Sequence, residues 1–368
     1  MKTISIIPGK KGIEVVDTPE PAIETSTQVK LKVLEVGICG TDREEVMGGR
    51  ADAPEGSKHL VIGHEMIGRV VETGPAVTAV APGDYGVLSV RRGCGKCIPC
   101  LNNRSDLCYT GAYTERGIRR LHGFETEYVV DEERYVVRVP EKLKAVGVLA
   151  EPMSVAEKAI DEALSIQVAR LPETIKGKWL PGKKALVAGI GAIGILAAMV
   201  LRLRGAEVIG LDIVDEDTRR PAILKRLGGA YVDSRKTNVM DLDDKFGQID
   251  FIFEATGVAQ VGFNLIDALG INGIYVMTGI PHGERPVSIS GPELMKQLVL
   301  KNQLILGSVN AGPLHFAMAI DDLERAYNKW DGLVDEIITT RIPSSRFLEA
   351  LDMRSVDDIK TVVEWRDA

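Results

Sequence analysis

Two hydrophobic rhythms divide the chain. Up to about Gly147, apolar residues recur at every second position in short runs punctuated by glycine and proline. Gln28-Val29-Lys30-Leu31-Lys32-Val33 is the clearest run; Thr3 to Ile7, Val61-Ile62, Ile67-Gly68, Val70-Val71, Tyr128 to Val130 and Tyr135 to Val137 repeat it. A period of two gives an extended chain one wet and one buried face, so this half is predicted to be mostly β. Past Leu149 the spacing lengthens, with Val155, Ala159, Ala163 and Ile166 three or four apart, as on one face of a helix. A polar stretch with Pro172, Gly177, Pro181 and Gly182 then marks a domain boundary.

Beyond it, short apolar runs at Lys184 to Gly189, Glu207 to Leu211, Asp250 to Glu254, Gly273 to Gly279 and Leu304 to Val309 alternate with helical stretches. Strands buried on both faces have this pattern, and their alternation with helices predicts a doubly wound parallel sheet. From His315 the pattern is helical, and Thr361 to Trp365 predicts a last strand that rejoins the first half. The expected organisation is α/β: a mostly β domain over 1–180, a dinucleotide-binding domain over 181–310, and a segment over 311–368 returning to the first domain.

Composition narrows the partners. A chain of 368 residues exceeds one ordinary core, and 45% hydrophobic with 26% charged residues describes a globular protein. The net charge of -7 argues against a nucleic-acid partner, which demands a basic face. Ile195 to Leu201 is the longest apolar run, far short of the roughly 20 residues that span a bilayer. The alternating Thr3 to Ile7 does not resemble a signal peptide, so a cytoplasmic protein without a membrane partner is expected.

Three stretches carry chemistry. Gly189-Ile190-Gly191-Ala192-Ile193-Gly194 follows an apolar strand and opens a helix, with Asp212 at the end of the next strand. That context suits a dinucleotide: the glycines admit the pyrophosphate, the helix N-terminus stabilises its charge, and Asp212 accepts from ribose hydroxyls and repels a 2'-phosphate. NAD is therefore favoured over NADP, a preference that Arg219 and Arg220 would soften. The bland reading of the glycines is a helix-packing turn, and of Asp212 a surface turn. Cys94, Cys97, Cys100 and Cys108, in a lobe over 93–108, have the spacing of a closed tetrahedral S4 zinc site; an iron–sulfur cluster and free or bridged cysteines are the alternatives. Cys39 is left over in Gly37-Ile38-Cys39-Gly40-Thr41-Asp42. Alone it reads as a buried small hydrophobe, but His64-Glu65 and Glu151-Pro152 supply further zinc-ligand types.

These motifs in this order resemble the zinc-dependent medium-chain dehydrogenases over the whole chain. Thr41-Asp42-Arg43-Glu44, Arg91-Arg92-Gly93-Cys94, Glu115-Arg116-Gly117-Ile118, Leu149-Ala150-Glu151-Pro152 and Gly307-Ser308-Val309-Asn310 are similar to the glucose 1-dehydrogenase branch found chiefly in archaea. The resemblance implies a GroES-like catalytic domain and a Rossmann domain, with Cys39, His64, Glu65 and Glu151 around a catalytic zinc. It makes Asp42 the group that orients His64 and Thr41 the proton-relay hydroxyl. Glu115, Glu151 and Asn310, with Thr41, would meet the sugar. The glycine turn with Asp212, Thr256, Gly279 and Asn310 would meet the cofactor, and a homodimer or homotetramer is implied.

The chain departs from relatives at Glu44, where simple-alcohol enzymes carry histidine, and at Val90, Val155 and Leu300, where some sugar enzymes carry polar groups. The implied activity is oxidation of an aldose, glucose first, at C1 to the lactone. Polyol, threonine or simple alcohol oxidation, and a non-catalytic nucleotide-binding protein, are the alternatives. Without the resemblance, Glu115 reads as a solvated surface residue and Asn310 as a turn-former, and His59, His122, His282 and His315 read as surface or structural histidines.

Overall fold

A computed structural model describes residues 1–171, 178–281, 286–353 and 355–365. It forms two compact units: Met1–Ser154 with Asn310–Glu324 and Val334–Ala368, and Val155–Val309 with Arg325–Leu333. The chain passes from one to the other inside the helix Ala150–Arg170, between Ser154 and Val155. Of the linker expected over 172–182, residues 172–177 lie outside the described residues, as does His282.

The first unit is built on strand Gln28–Ile38, whose alternating burial follows its alternating sequence until the last four residues, which are all buried. It pairs antiparallel with Glu65–Thr73, Tyr128–Glu132 and Lys360–Glu364 in a seven-stranded sheet. The expected Ile67-Gly68 and Val70-Val71 segments are one strand, Glu65–Thr73, carried past register shifts opposite Lys30/Leu31 and Val33/Glu35. Those irregularities interrupt the period of two along the strand. Ile4, Ile6, Leu31, Val33, Leu60, Ile62, Met66, Phe124, Val363 and Trp365 fill the core behind this sheet. At roughly 1.5–3 kcal/mol per large apolar side chain, this burial is what holds strands from both ends of the chain together.

The second unit carries a six-stranded, wholly parallel sheet. In space the order is Ala230–Asp233, Glu207–Asp212, Lys184–Ala188, Ile249–Glu254, Leu269–Met277, Leu304–Gly307. Numbered along the chain this is 3-2-1-4-5-6, the doubly wound Rossmann order, whose direction reverses between Lys184–Ala188 and Ile249–Glu254. Ligands bind such sheets outside the carboxyl ends at that switch point. The strand expected over Gly273 to Gly279 runs Leu269–Met277, ending where the Thr278 and Gly279 amides turn to Glu254. Among the described residues no helix is long and apolar enough to cross a membrane.

Candidate active site, cysteine lobe and nucleotide turn

Strand Gln28–Ile38 delivers Cys39 as the N-cap of helix Gly40–Val46. Its Sγ accepts from the Thr41 amide at 3.1 Å, and the Asp42 carboxylate reaches back to the Cys39 amide at 2.8 Å. This reciprocal cap fixes the thiol at the helix entrance. Gly63 turns the chain with φ +86 before His64, whose Nε2 lies 3.1 Å from Cys39 Sγ and whose Nδ1 lies 3.5 Å from Asp42 Oδ1. Glu65 begins the paired strand directly opposite Gly37, where a Cβ would collide with the Glu65 carboxylate. Gly37 is therefore required for close approach rather than for a turn.

Cys39 Sγ, a His64 nitrogen and a Glu65 oxygen lie within 4.8 Å of one another. Thiol, imidazole and carboxylate converging this closely, with Asp42 behind the second ring nitrogen, suit a zinc ion and an oriented histidine ligand. Glu151, on the first turn of helix Ala150–Arg170, is outside that group of three but within electrostatic reach of it. Burial, opposed by His64 and reinforced by Glu65, lifts its carboxyl to about 7. Thr41 is half-buried on the first turn of its helix.

Two neighbours of this group escaped sequence reading. Lys360, buried on strand Lys360–Glu364, donates to both Glu65 oxygens at 2.8 and 2.7 Å and to the Ile38 carbonyl at 3.3 Å. The available signal was a lysine set between Ile359 and the Val362-Val363 pair. Glu45 is fully buried, and neither of its oxygens has a hydrogen-bond partner among the described residues. Burial and then the charge of Asp42 push its carboxyl up to about 9.

In the cysteine lobe, Sγ separations are 3.3 Å for Cys97 to Cys100 and 3.9 Å for Cys94 to Cys100 and Cys97 to Cys108. Four sulfurs at 2.3 Å from one tetrahedral ion are about 3.8 Å apart, so two of these separations already match a zinc site and the Cys97–Cys100 pair would open slightly around the ion. Hydrogen bonds from Thr110 and from the Lys96 and Cys97 amides hold the Cys94 thiol down to about 5, favouring the thiolate that a metal needs. All five cysteines are free thiols.

Glu115 and Asn310, far apart in sequence, meet: Asn310 Nδ2 donates to Glu115 Oε1 at 2.7 Å. Asn310 has φ +63 and accepts from the Ala311 amide through its own Oδ1. The strand bearing Glu115 continues into Gly117, which packs against the backbone of Gly63 so closely that a Cβ would clash. Arg91 completes the contact from the opposite strand. Among the apolar departures, Val90 is buried, Val155 half-buried and Leu300 68% exposed. His59 pairs with Glu14, while His122 and His315 each accept a backbone amide.

In the second unit Gly189 has φ +82, and a side chain on Gly194 would run into the Gly189 carbonyl, whereas Gly191 faces open space. Gly191 caps helix Ala192–Leu203, which holds Ala192, Ile193 and Gly194 in its first turn. Asp212 accepts from the Ile190 amide at 2.9 Å and from its neighbour Ile213 at 2.7 Å, tying the glycine turn to the next strand, and Arg220 Nη1 lies 3.9 Å away. Across the switch point, buried Glu254 accepts from Thr256 and Gly257 and from the Gly279 amide, gathering Thr256 and Gly279 around one carboxylate that belongs to no sequence motif.

Known proteins resemble this chain over its full length. A family model for the alcohol dehydrogenase GroES-like domain matches residues 25–141, and one for the glucose dehydrogenase C-terminus matches residues 144–365. A glucose 1-dehydrogenase of Vulcanisaeta moutnovskia is 39% identical over 99% of both chains, and one of Methanocella arvoryzae 35% over 99% of both. The structure of Haloferax mediterranei glucose dehydrogenase with NADP, Zn and gluconolactone superposes over 100% of both chains with a TM-score of 0.88 at 33% identity. With the parallel 3-2-1-4-5-6 sheet and these full-length matches, the chain belongs to the zinc-dependent medium-chain dehydrogenases, in their glucose dehydrogenase family.

Proposed function

We propose that this protein oxidises aldoses, glucose first, at C1 to the lactone with hydride transfer to NAD(P). The observation that carries the choice of substrate is the Glu115–Asn310 hydrogen bond, which brings two polar side chains from distant parts of the chain into the unit that holds Cys39, His64 and Glu65. A site for ethanol has no use for such a pair; a polyhydroxylated substrate does. It is supported by the kinship with glucose 1-dehydrogenases and by the gluconolactone bound to the Haloferax enzyme.

Cys39, His64 and Glu65 would hold zinc, with Glu151 beside them; when bound, the ion supplies a Lewis acid that lowers the pKa of the anomeric hydroxyl. A bound nicotinamide supplies the hydride acceptor. The side chains do the rest. Asp42 keeps His64 oriented, Glu115, Glu151 and Asn310 accept and donate to sugar hydroxyls, and the Thr41 hydroxyl passes the proton outward. Gly189 to Gly194 would receive the pyrophosphate, with Thr256 and Gly279 along the rest of the cofactor.

NAD is the preferred cofactor in this reading, because a carboxylate at Asp212 disfavours a 2'-phosphate; Arg220 beside it leaves NADP usable. Asp212→Ala is expected to narrow the NAD/NADP ratio of kcat/KM, and an unchanged ratio would take Asp212 out of cofactor selection. Edge strand Leu304–Gly307, with Ile305 exposed on it and Met295 and Val299 exposed on the preceding helix Gly291–Leu300, supports a homodimer or homotetramer through this edge, checked by light scattering. Thiols clustered as metal ligands support a reducing, cytoplasmic location.

The deciding experiment is initial-rate measurement over aldoses, polyols, threonine and ethanol with both cofactors, with zinc content determined on the same sample. Turnover of ethanol or threonine with none of any aldose refutes the proposal.

A further inference from the structure

We infer that Arg91 is a positioning residue through which the cysteine lobe sets the sugar affinity of Glu115, an inference that rests on the aldose reading above. Arg91 and Glu115 face each other across the strand pair Arg91–Arg92 and Thr114–Arg116. The guanidinium donates from Nε at 3.1 Å and from Nη2 at 2.9 Å to Glu115 Oε1. Its remaining nitrogen, Nη1, donates at 2.8 Å to the carbonyl of Asp106, inside the lobe between Cys100 and Cys108. The ring of Tyr113 lies 4.1 Å from the guanidinium carbon and fixes its plane.

The connection is doubled through Asn310. Its Nδ2 donates to the same Oε1, and two residues on, Gly312 packs on the Asp106 carboxylate so tightly that a Cβ would lie 2.7 Å from Oδ1. Arg104 holds that carboxylate in turn, and Ser105 Oγ donates to the Arg91 carbonyl. Both polar side chains of the sugar site are therefore seated on the 104–106 turn, which the Cys100 and Cys108 ligands bracket.

The arrangement also selects an oxygen. Among the described residues every donor to Glu115 reaches Oε1, which leaves Oε2 as the acceptor for a sugar hydroxyl. Arg91 and Glu115 side chains are 9% and 12% exposed, so this orientation is held largely out of water. A lobe that loosens lets Asp106 drift, Arg91 follows, and Oε2 loses its aim. The lobe is thus part of substrate binding as well as of stability.

Binding linkage makes the inference reciprocal: what the lobe does for sugar, sugar must do for the lobe. Arg91→Lys keeps the charge and loses the three-way fork; Arg91→Met removes both. Each is expected to raise KM for glucose about tenfold with kcat and the KM for the dinucleotide little changed, the signature of lost uniform binding. In the wild-type protein with bound cofactor, saturating glucose should slow zinc release from the lobe to a colorimetric chelator severalfold, and this protection should vanish in Arg91→Lys. A purely structural arginine would instead lower the folded fraction, and with it apparent kcat, at unchanged KM. Wild-type KM in a folded Arg91→Lys, or glucose protection of the lobe zinc that persists there, overturns the inference. Absence of aldose turnover by the wild-type protein refutes the aldose reading itself, and this inference with it.

Discussion

Lys360→Met removes both hydrogen bonds that Glu65 receives among the described residues, together with the lysine's bond to Ile38. The two side chains are 4% and 2% exposed, so water cannot replace the lost partner. Truncating one member of a buried ion pair costs about 3–5 kcal/mol, because the other charge stays buried without compensation. Methionine keeps most of the lysine volume, so little of that cost is a cavity. The full loss is expected in metal-free protein. With zinc at Cys39 and His64 the same carboxylate has a second cation within reach, and the loss should shrink by at least about 1 kcal/mol, a factor of about five in an equilibrium constant. The difference must reappear as tighter zinc binding by the variant, since the two quantities close a thermodynamic cycle. Urea unfolding of zinc-loaded and metal-free wild type and variant measures the first quantity, and competition with a chelator measures the second. An identical stability loss in both forms, with unchanged zinc affinity, would show that Lys360 neutralises Glu65 independently of the metal and would refute this reasoning.

Cys39→Ala is expected to abolish turnover with a stability change under about 1 kcal/mol, whereas Cys97→Ala should cost several kcal/mol because the lobe's fold depends on its metal; equal losses in thermal scans would contradict that division of roles. Glu45, whose carboxyl is raised to about 9 in the fold, charges in the unfolded chain first, so its contribution turns unfavourable as pH rises from about 4 to about 9. Glu45→Gln should therefore gain stability over wild type progressively from pH 4 to pH 8, by up to about 3 kcal/mol, and a gain independent of pH would disprove the assignment. Asp131 behaves oppositely. Burial alone would raise it, but the guanidiniums of Arg116 and Arg92 outweigh burial and hold it at about 2. Its stabilisation, about 2–3 kcal/mol, is present above pH 4 and disappears as pH falls toward 2. Asp131→Asn should lower the neutral-pH urea midpoint and flatten the acid limb; an acid limb as steep as wild type would exclude it as the source.

Local chemistry was legible in the chain. Alternation marked Gln28–Ile38, the glycine turn with Asp212 marked the parallel sheet, and the spacing of Cys94, Cys97, Cys100 and Cys108 marked the lobe. Each of these signals is short-range: a strand face, a tight turn and a chelate loop are set within a few residues. Bulges defeated the same logic at Glu65–Thr73, because an irregular ladder erases the period that pattern reading relies on.

What the sequence determined by itself was which residue types stand ready in Gly37 to Asp42 and Gly63 to Glu65, and that a thiol, an imidazole and carboxylates accompany a dinucleotide turn. Only the tertiary structure decided their company. It set Lys360 on Glu65, left Glu45 buried without a hydrogen-bond partner among the described residues, gathered Thr256 and Gly279 on Glu254, and hung Glu115, with Asn310 bonded to it, from an arginine tied to the cysteine lobe. The physical reason is that Lys360 and Glu65, like Asn310 and Glu115, meet across long sequence separations through sheet register and core packing. No local periodicity encodes those contacts, and burial then decides which of the charges are paired and which are raised or lowered.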